Sequence, residues 1–269
     1  MKPIIGITGA NGFIGQSLIK YLTYRGIKVV VVVRDKSSIK DAAWFACVKP
    51  IEVDIFKDTI NLKKEGVDVL LHLAWGQLDN YSSKEHYKYA LDSRAFISHQ
   101  IKNGLKHIAV SGTCQEYGIK FGPIKPSEET DPQTAYARAK VELYNKLNKL
   151  CKTNKVSLCW ARIFYTYGEG QSEKQIMSKL KKAIDNKEKW FDMSMGDQLR
   201  DYLPVEKVSE KLSDLLLKKA DGIFNIGSNK PISIRRLVTE YAEARGSSIK
   251  FRYGIYPYPE YESMAFWAG

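Results

Sequence analysis

Apolar and polar positions along this chain follow two rhythms. PIIGIT at 3–8, IKVVVVV ending at Val33, IEV at 51–53, DVLLHLA at 68–74, the segment ending in Ser111-Gly112-Thr113, and VSLCWARIF at 156–164 are short apolar runs. Such runs, rich in β-branched residues, suit strands buried on both faces of a parallel sheet. Between them lie stretches with apolar residues three and four apart, among them FIGQSLIKYLTYRG and the segments near 82–103 and 133–153, and that period predicts helices. Strand-like and helix-like segments alternate from residue 3 to about residue 163, which is the pattern of a doubly wound α/β fold. After residue 165 the pattern loosens. It predicts a basic helix near 173–187, a helix beginning near Val205, a short strand GIFNIG, a helix in IRRLVTEYAEARG and a Tyr/Pro-rich tail.

Composition narrows the class of partner. The 269 residues carry a net charge of +12, and clustered cations would release counterions from nucleic-acid phosphate. The excess lysine is instead scattered along helical stretches such as KLKKAIDNKEK, with no nucleic-acid motif. Nucleic acid is therefore not the expected ligand, while a small anionic ligand is favoured. No run reaches the roughly eighteen apolar residues of a membrane span, and Met1-Lys2-Pro3 enters the first strand without a signal sequence, so a cytoplasmic protein is expected. The cysteines at 47, 114, 151 and 159 lack paired spacing and a partnering histidine motif. Reduced thiols and no structural metal follow.

Two motifs carry chemistry. The first strand runs directly into Gly9-Ala-Asn-Gly12-Phe-Ile-Gly15 and then a helix. Gly9 permits the turn, Gly12 lets the backbone approach a pyrophosphate, Gly15 allows close packing, and the helix N-terminus faces phosphate. Asn11, Phe13 and Ile14 complete the segment. At the end of the second strand an acid would bind a ribose 2′-OH and an arginine a 2′-phosphate. Arg34 follows Val33 there, so NADP is expected, with NAD served by Asp35 if the register shifts. The second motif is Tyr136 and Lys140 in TAYARAK. Four apart on a helix, they share a face, and a neighbouring cation favours the phenolate of a tyrosine. Thr113 adds a hydroxyl to the same oxygen. His72 alone reads best as a strand-end histidine with satisfied hydrogen bonds.

The ordered series TGANGFIG, Asp54-Ile55, HLA, SGTCQEYG, YARAK, ARIFYTYGEGQ, LRDYLPVEKV and FNIGS resembles the extended short-chain dehydrogenase/reductase family. Within it, the nucleotide-sugar epimerases, dehydratases and reductases resemble this chain across nearly its whole length, most of all the reductases of nucleotide-linked 4-keto-6-deoxyhexoses. The resemblance implies a Rossmann-type domain over 1–164, to which part of 200–226 returns, and a smaller substrate-binding part over 165–269 that is short at its C-terminus. It implies cofactor contacts at Asp54, Ile55, Leu73, Ala74, Tyr136, Lys140 and Ile163, and catalytic roles for Thr113, Tyr136 and Lys140. Substrate contacts fall on Thr113, Gln115, Tyr165 (where Asn is usual), Arg200 for the diphosphate, and Arg252.

Departures from the family point to the reaction. Dehydratases that resemble this chain have Asp-Glu after the Ser/Thr, and decarboxylating relatives need Glu at the second position, whereas here Cys114-Gln115 follows Thr113. A neutral amide cannot take up a proton as a carboxylate does. C3/C5 epimerisation is disfavoured too, because the cysteine it uses would stand at 115. NADPH-dependent reduction at C4 of a nucleotide-linked 4-keto-(6-deoxy)hexose, serving surface-polysaccharide sugars, is the expectation. An NAD-dependent 4-epimerase or 4-dehydrogenase and a non-enzymatic cofactor sensor are the alternatives. A homodimer through the helices near 82–103 and 133–153 is implied by the same resemblance.

Overall fold

The structure is a computed structural model describing residues 2–269. Its centre is a sheet of seven strands: β1 (Ile5–Thr8), β2 (Val29–Val33), β3 (Lys49–Glu52), β4 (Val69–His72), β5 (His107–Thr113), β7 (Ser157–Ile163) and β12 (Gly222–Ile226). They lie in the order β12-β7-β5-β4-β1-β2-β3 with every pairing parallel. The alternation of side chains along a strand sorts β2 cleanly. Val29, Val31 and Val33 pack with Leu18, Ile19 and Leu22 of α1 (Phe13–Tyr24) and Val208, Leu212 and Leu216 of α5 (Val205–Leu217). Val30 and Val32 face the opposite layer, with Phe96 and Ile97 of α2 (Glu85–Lys102) and Leu143 and Leu147 of α3 (Ala135–Asn154). The expected doubly wound α/β fold is the observed one.

Beyond residue 164 the elements are short. β8 (Tyr165–Tyr167) pairs with β11 (Tyr202–Pro204), and β9 (Trp190–Asp192) pairs with β14 (Lys250–Arg252). A second sheet runs β13 (Ile232–Ser233), β10 (Leu199–Arg200), β15 (Ala265–Ala268), β6 (Gly122–Ile124). α4 (Ile176–Asp185) and α6 (Ile234–Ala244) close over Phe191, Met193 and Ile249 as a separate apolar cluster. The helix expected over 173–187 is shorter than its sequence pattern. Gln175 is extended at its start, and past its end Lys187 turns left-handed with φ 57°.

The site is positioned by the sheet order. The chain leaves β1 for α1 on one face and leaves β4 for α2 on the other, so a crevice opens at the carboxyl ends of these adjacent strands.

Candidate active site

That crevice is a cavity of about 1120 Å³, above the roughly 300–1,000 Å³ typical of one small ligand. One end is the glycine turn. Gly9 sits at φ 74° with Leu73 and Ala74 backbone 2.8 Å from where a Cβ would be, and a Cβ on Gly15 would fall 2.2 Å from the Gly9 carbonyl. A side chain at Gly9 would push the turn off the segment after β4, and one at Gly15 would push α1 off the turn. The N-terminus of α1 is capped by Gly12, which has no side chain to satisfy the first amides. Those N–H groups and the helix dipole are left for an anion. A dinucleotide pyrophosphate fits this cradle.

Every residue expected at the cofactor lines the cavity: Gly9, Asn11, Gly12, Phe13, Ile14, Gly15, Arg34, Asp54, Ile55, Leu73, Ala74, Tyr136, Lys140 and Ile163. Arg34 is exposed on the rim beyond β2. Asp35 is occupied locally, accepting from the Ser37 amide at 2.7 Å and its hydroxyl at 2.6 Å. Asp54 accepts from Phe56 N at 3.1 Å and pairs with Lys57 at 3.4 Å.

Thr113, Gln115, Tyr136, Lys140 and Tyr165 meet farther along the same cavity. Thr134 starts α3 by accepting from Ala137 N at 3.2 Å, which sets the register that puts Tyr136 and Lys140 on one face. The Thr113 hydroxyl faces the Tyr136 phenol, whose pKa is raised, mainly by burial. Tyr136 is thus a neutral phenol here. Lys140, 1% exposed, donates to the Ser111 carbonyl at 2.8 Å. Burial lowers its pKa to about 7 against the pull of Glu116. Gln115 accepts from Thr134 at 3.5 Å and faces the Tyr81 hydroxyl.

Arg200 and Arg252 are not brought to the cavity. Arg200 is fully buried between the rings of Tyr165 and Phe266 and pairs with Glu262 at 3.0 Å. Arg252 lies on β14 and grips Asp192 through Nε and Nη2. In both cases a carboxylate distant in sequence takes the guanidinium, which the resemblance assigns to the diphosphate for Arg200 and more weakly to the substrate for Arg252. His72 is a structural residue: its nitrogens lie 2.9 Å from Thr8 Oγ1 and from Ser93 Oγ, and burial lowers its pKa to about 3.

Motif reading missed several neighbours of the reacting groups. Glu116, wholly buried, accepts from Thr113 N at 2.8 Å, Trp160 Nε1 at 3.0 Å and Arg162 Nε at 2.7 Å. With Thr113 it forms a capping box that fixes the threonine. Tyr81 stacks on Tyr136 at 5.3 Å, and His86 and Trp75 stand 5.1 and 6.1 Å from the same ring. Among the described residues, no cluster of three His, Cys, Asp or Glu is placed to hold a metal, and no helix is long and apolar enough to cross a membrane.

Comparison with known proteins agrees with this geometry. The chain is 31% identical over 265 residues to the dTDP-6-deoxy-L-talose 4-dehydrogenase (NAD(+)) of Aggregatibacter actinomycetemcomitans, a match covering 97% of each. Its fold is similar to the UDP-N-acetylglucosamine 4-epimerase of Methanobrevibacter ruminantium M1, with TM-score 0.84, 23% identity, and 98% and 90% of the two chains covered. It is also similar to the UDP-glucose-4-epimerase of Stenotrophomonas maltophila solved with bound NAD, with TM-score 0.85, 19% identity, and 99% and 89% covered. A family model matches residues 5–227, and with the glycine cradle and crevice above it shows that the chain belongs to the NAD dependent epimerase/dehydratase family.

Proposed function

We propose that this protein reduces the C4 ketone of a nucleotide-diphosphate-linked 4-keto-6-deoxyhexose, with NADPH as the hydride source. A nicotinamide dinucleotide held by the Gly9–Gly15 turn and the residues lining the crevice would supply the hydride for C4. Tyr136, neutral and beside the Thr113 hydroxyl, gives its proton to the developing alkoxide, and the Lys140 ammonium stabilises the phenolate left behind. The 1–164 part holds the cofactor, and the 165–269 part bounds the sugar end through Tyr165, Gln175, Met177 and Tyr202. Homodimers formed through α2 and α3 fit the exposure of Tyr87 and Leu91 on α2.

The observation that carries this reading is the neutrality of the groups next to Thr113. Cys114 is buried with its thiol pKa raised, and Gln115 is an amide. The carboxylates lining the cavity are engaged elsewhere: Asp35 with Ser37, Asp54 with Lys57, and Asp79 with Lys174. Glu116 is held by Arg162. Proton transfer from Tyr136 is thus supported, and elimination lacks its acid and base. The 31% identical relative carries C4 redox chemistry on a dTDP-linked 6-deoxyhexose in its name. Oxidation of the carbinol and reduction of the ketone are two directions of one reaction. The test is loss of NADPH absorbance with dTDP-, CDP-, GDP- and UDP-linked 4-keto-6-deoxy sugars. Conversion of an unmodified nucleotide hexose into a 4-keto-6-deoxy product without net NADPH use would refute it.

The NAD(+) in that relative's name favours a second reading, an NAD-dependent 4-dehydrogenase or 4-epimerase. Arg34 discriminates the two. It is exposed on the rim and makes no ion pair among the described residues, so it is available to a 2′-phosphate. Arg34→Ala is expected to weaken NADPH binding by about 1.5 to 3 kcal/mol while leaving NADH nearly unchanged. Equal losses in calorimetric titrations would move the assignment to NAD.

A further inference from the structure

Lys140 is held by more than its own helix. Its Nζ, besides donating to the Ser111 carbonyl, lies 3.7 Å from the centroid of the Trp75 ring. That is well inside the range of about 6 Å for a cation–π contact, and the attraction is strongest where both partners are desolvated. Trp75 stands in the loop after β4 and lines the cavity. It is fixed in turn by α2, because its Nε1 donates to His86 Nδ1 at 3.0 Å while His86 Nε2 lies 2.9 Å from the Asn80 carbonyl. An indole nitrogen only donates and a carbonyl only accepts, so His86 must be the neutral tautomer with its proton on Nε2. Its burial, which lowers its pKa, agrees. Tyr89 and Tyr136 flank the indole at 6.0 and 6.1 Å.

We propose that Trp75, oriented by His86, is a positioning residue that holds the Lys140 ammonium charged and in place beside Tyr136. The inference rests on the roles given above to Tyr136 and Lys140. The groups facing Lys140 leave little else to do this. Burial opposes its charge, and Glu116 is the carboxylate that supports it, though that carboxylate is already bonded to Arg162 and Trp160. His72 and His86 are neutral and neither attract nor repel strongly. Tyr136 is a neutral phenol with its ring centroid 5.9 Å from Nζ. The π face of Trp75 and the Ser111 carbonyl both meet Nζ directly, at 3.7 and 2.8 Å.

Lysine is charged below its pKa, so removing a group that stabilises the ammonium lowers the pH at which it loses its proton. In protein free of cofactor and substrate, labelled with 13C at lysine Cε, the Lys140 resonance is assigned by its loss in Lys140→Met. Its titration midpoint is expected to fall by roughly one pH unit in Trp75→Leu. Trp75→Phe, which keeps a π face but loses the bond to His86, should fall by less. Turnover in the reductive direction should show its high-pH decline displaced the same way. An unchanged midpoint in folded Trp75→Leu would overturn the proposal, since a purely structural Trp75 would alter stability and leave the Lys140 titration alone. Should that variant not fold, Trp75→Met serves instead, because its flexible side chain refills the gap. The titration needs neither cofactor nor sugar. Failure to turn over any 4-keto sugar would remove the proposed function and leave the midpoint result to stand or fall by itself.

Discussion

Tyr136→Phe is expected to lower turnover about a hundredfold or more, the contribution usual for a positioned acid–base group. Only the hydroxyl is lost. The ring remains stacked on Tyr81 with His86 tilted against it, and the Tyr136 amide still donates to the Tyr81 carbonyl at 3.0 Å, so the fold and the glycine cradle are undisturbed. The expected signature is a fall in kcat with cofactor affinity unchanged, because the missing proton matters as C4 is reduced and not when the dinucleotide binds. Lys140 does not replace the phenol, since its Nζ is bonded to the Ser111 carbonyl and covered by the Trp75 ring, 5.9 Å from the Tyr136 ring centroid. Near-normal single-turnover rates in the variant would remove Tyr136 from the chemistry.

What could be read from the sequence, and what could not, divides by the range of the interactions. The glycine turn was legible because each glycine answers a backbone demand within a few residues: a positive φ at Gly9 and the approach of helix to strand at Gly15. Tyr136 and Lys140 were legible because their relation is the pitch of one helix. The position of Arg34 on the rim was legible because it directly follows the last residue of a strand. Arg200 was placed on a substrate from its motif, yet its partner Glu262 comes 62 residues later, and nothing near either residue announces the pairing. Trp75 and His86 meet across the join between a loop and a helix, and an isolated tryptophan in a sequence does not say which cation it will cover. Glu116 is the instructive case. Thr113-Cys-Gln-Glu116 is a capping-box pattern that was open to view in the sequence. Positions 114 and 115 lack acids, while the carboxylate at 116 holds the threonine itself.

That carboxylate sets the second large expectation, on stability. Glu116→Ala should cost about 3 to 5 kcal/mol, the range for breaking a buried ion pair from one side. Arg162, 2% exposed, would keep the Pro126 carbonyl at 3.3 Å and the face of Tyr117 but lose its counter-charge, and the Trp160 indole N–H would lose its acceptor. The Thr113 amide would lose its partner as well. Set against a typical total of about 5 to 15 kcal/mol, this is a large fraction of the protein's stability. Glu116→Gln separates charge from hydrogen bonding, because the amide oxygen can still accept from Arg162 or Trp160 while no longer compensating the guanidinium. It should fall between the wild type and Glu116→Ala. Urea unfolding midpoints read by linear extrapolation measure all three. A loss below about 1 kcal/mol in Glu116→Ala would mean that water or a rearranged side chain satisfies Arg162, and that Thr113 is positioned without the capping box.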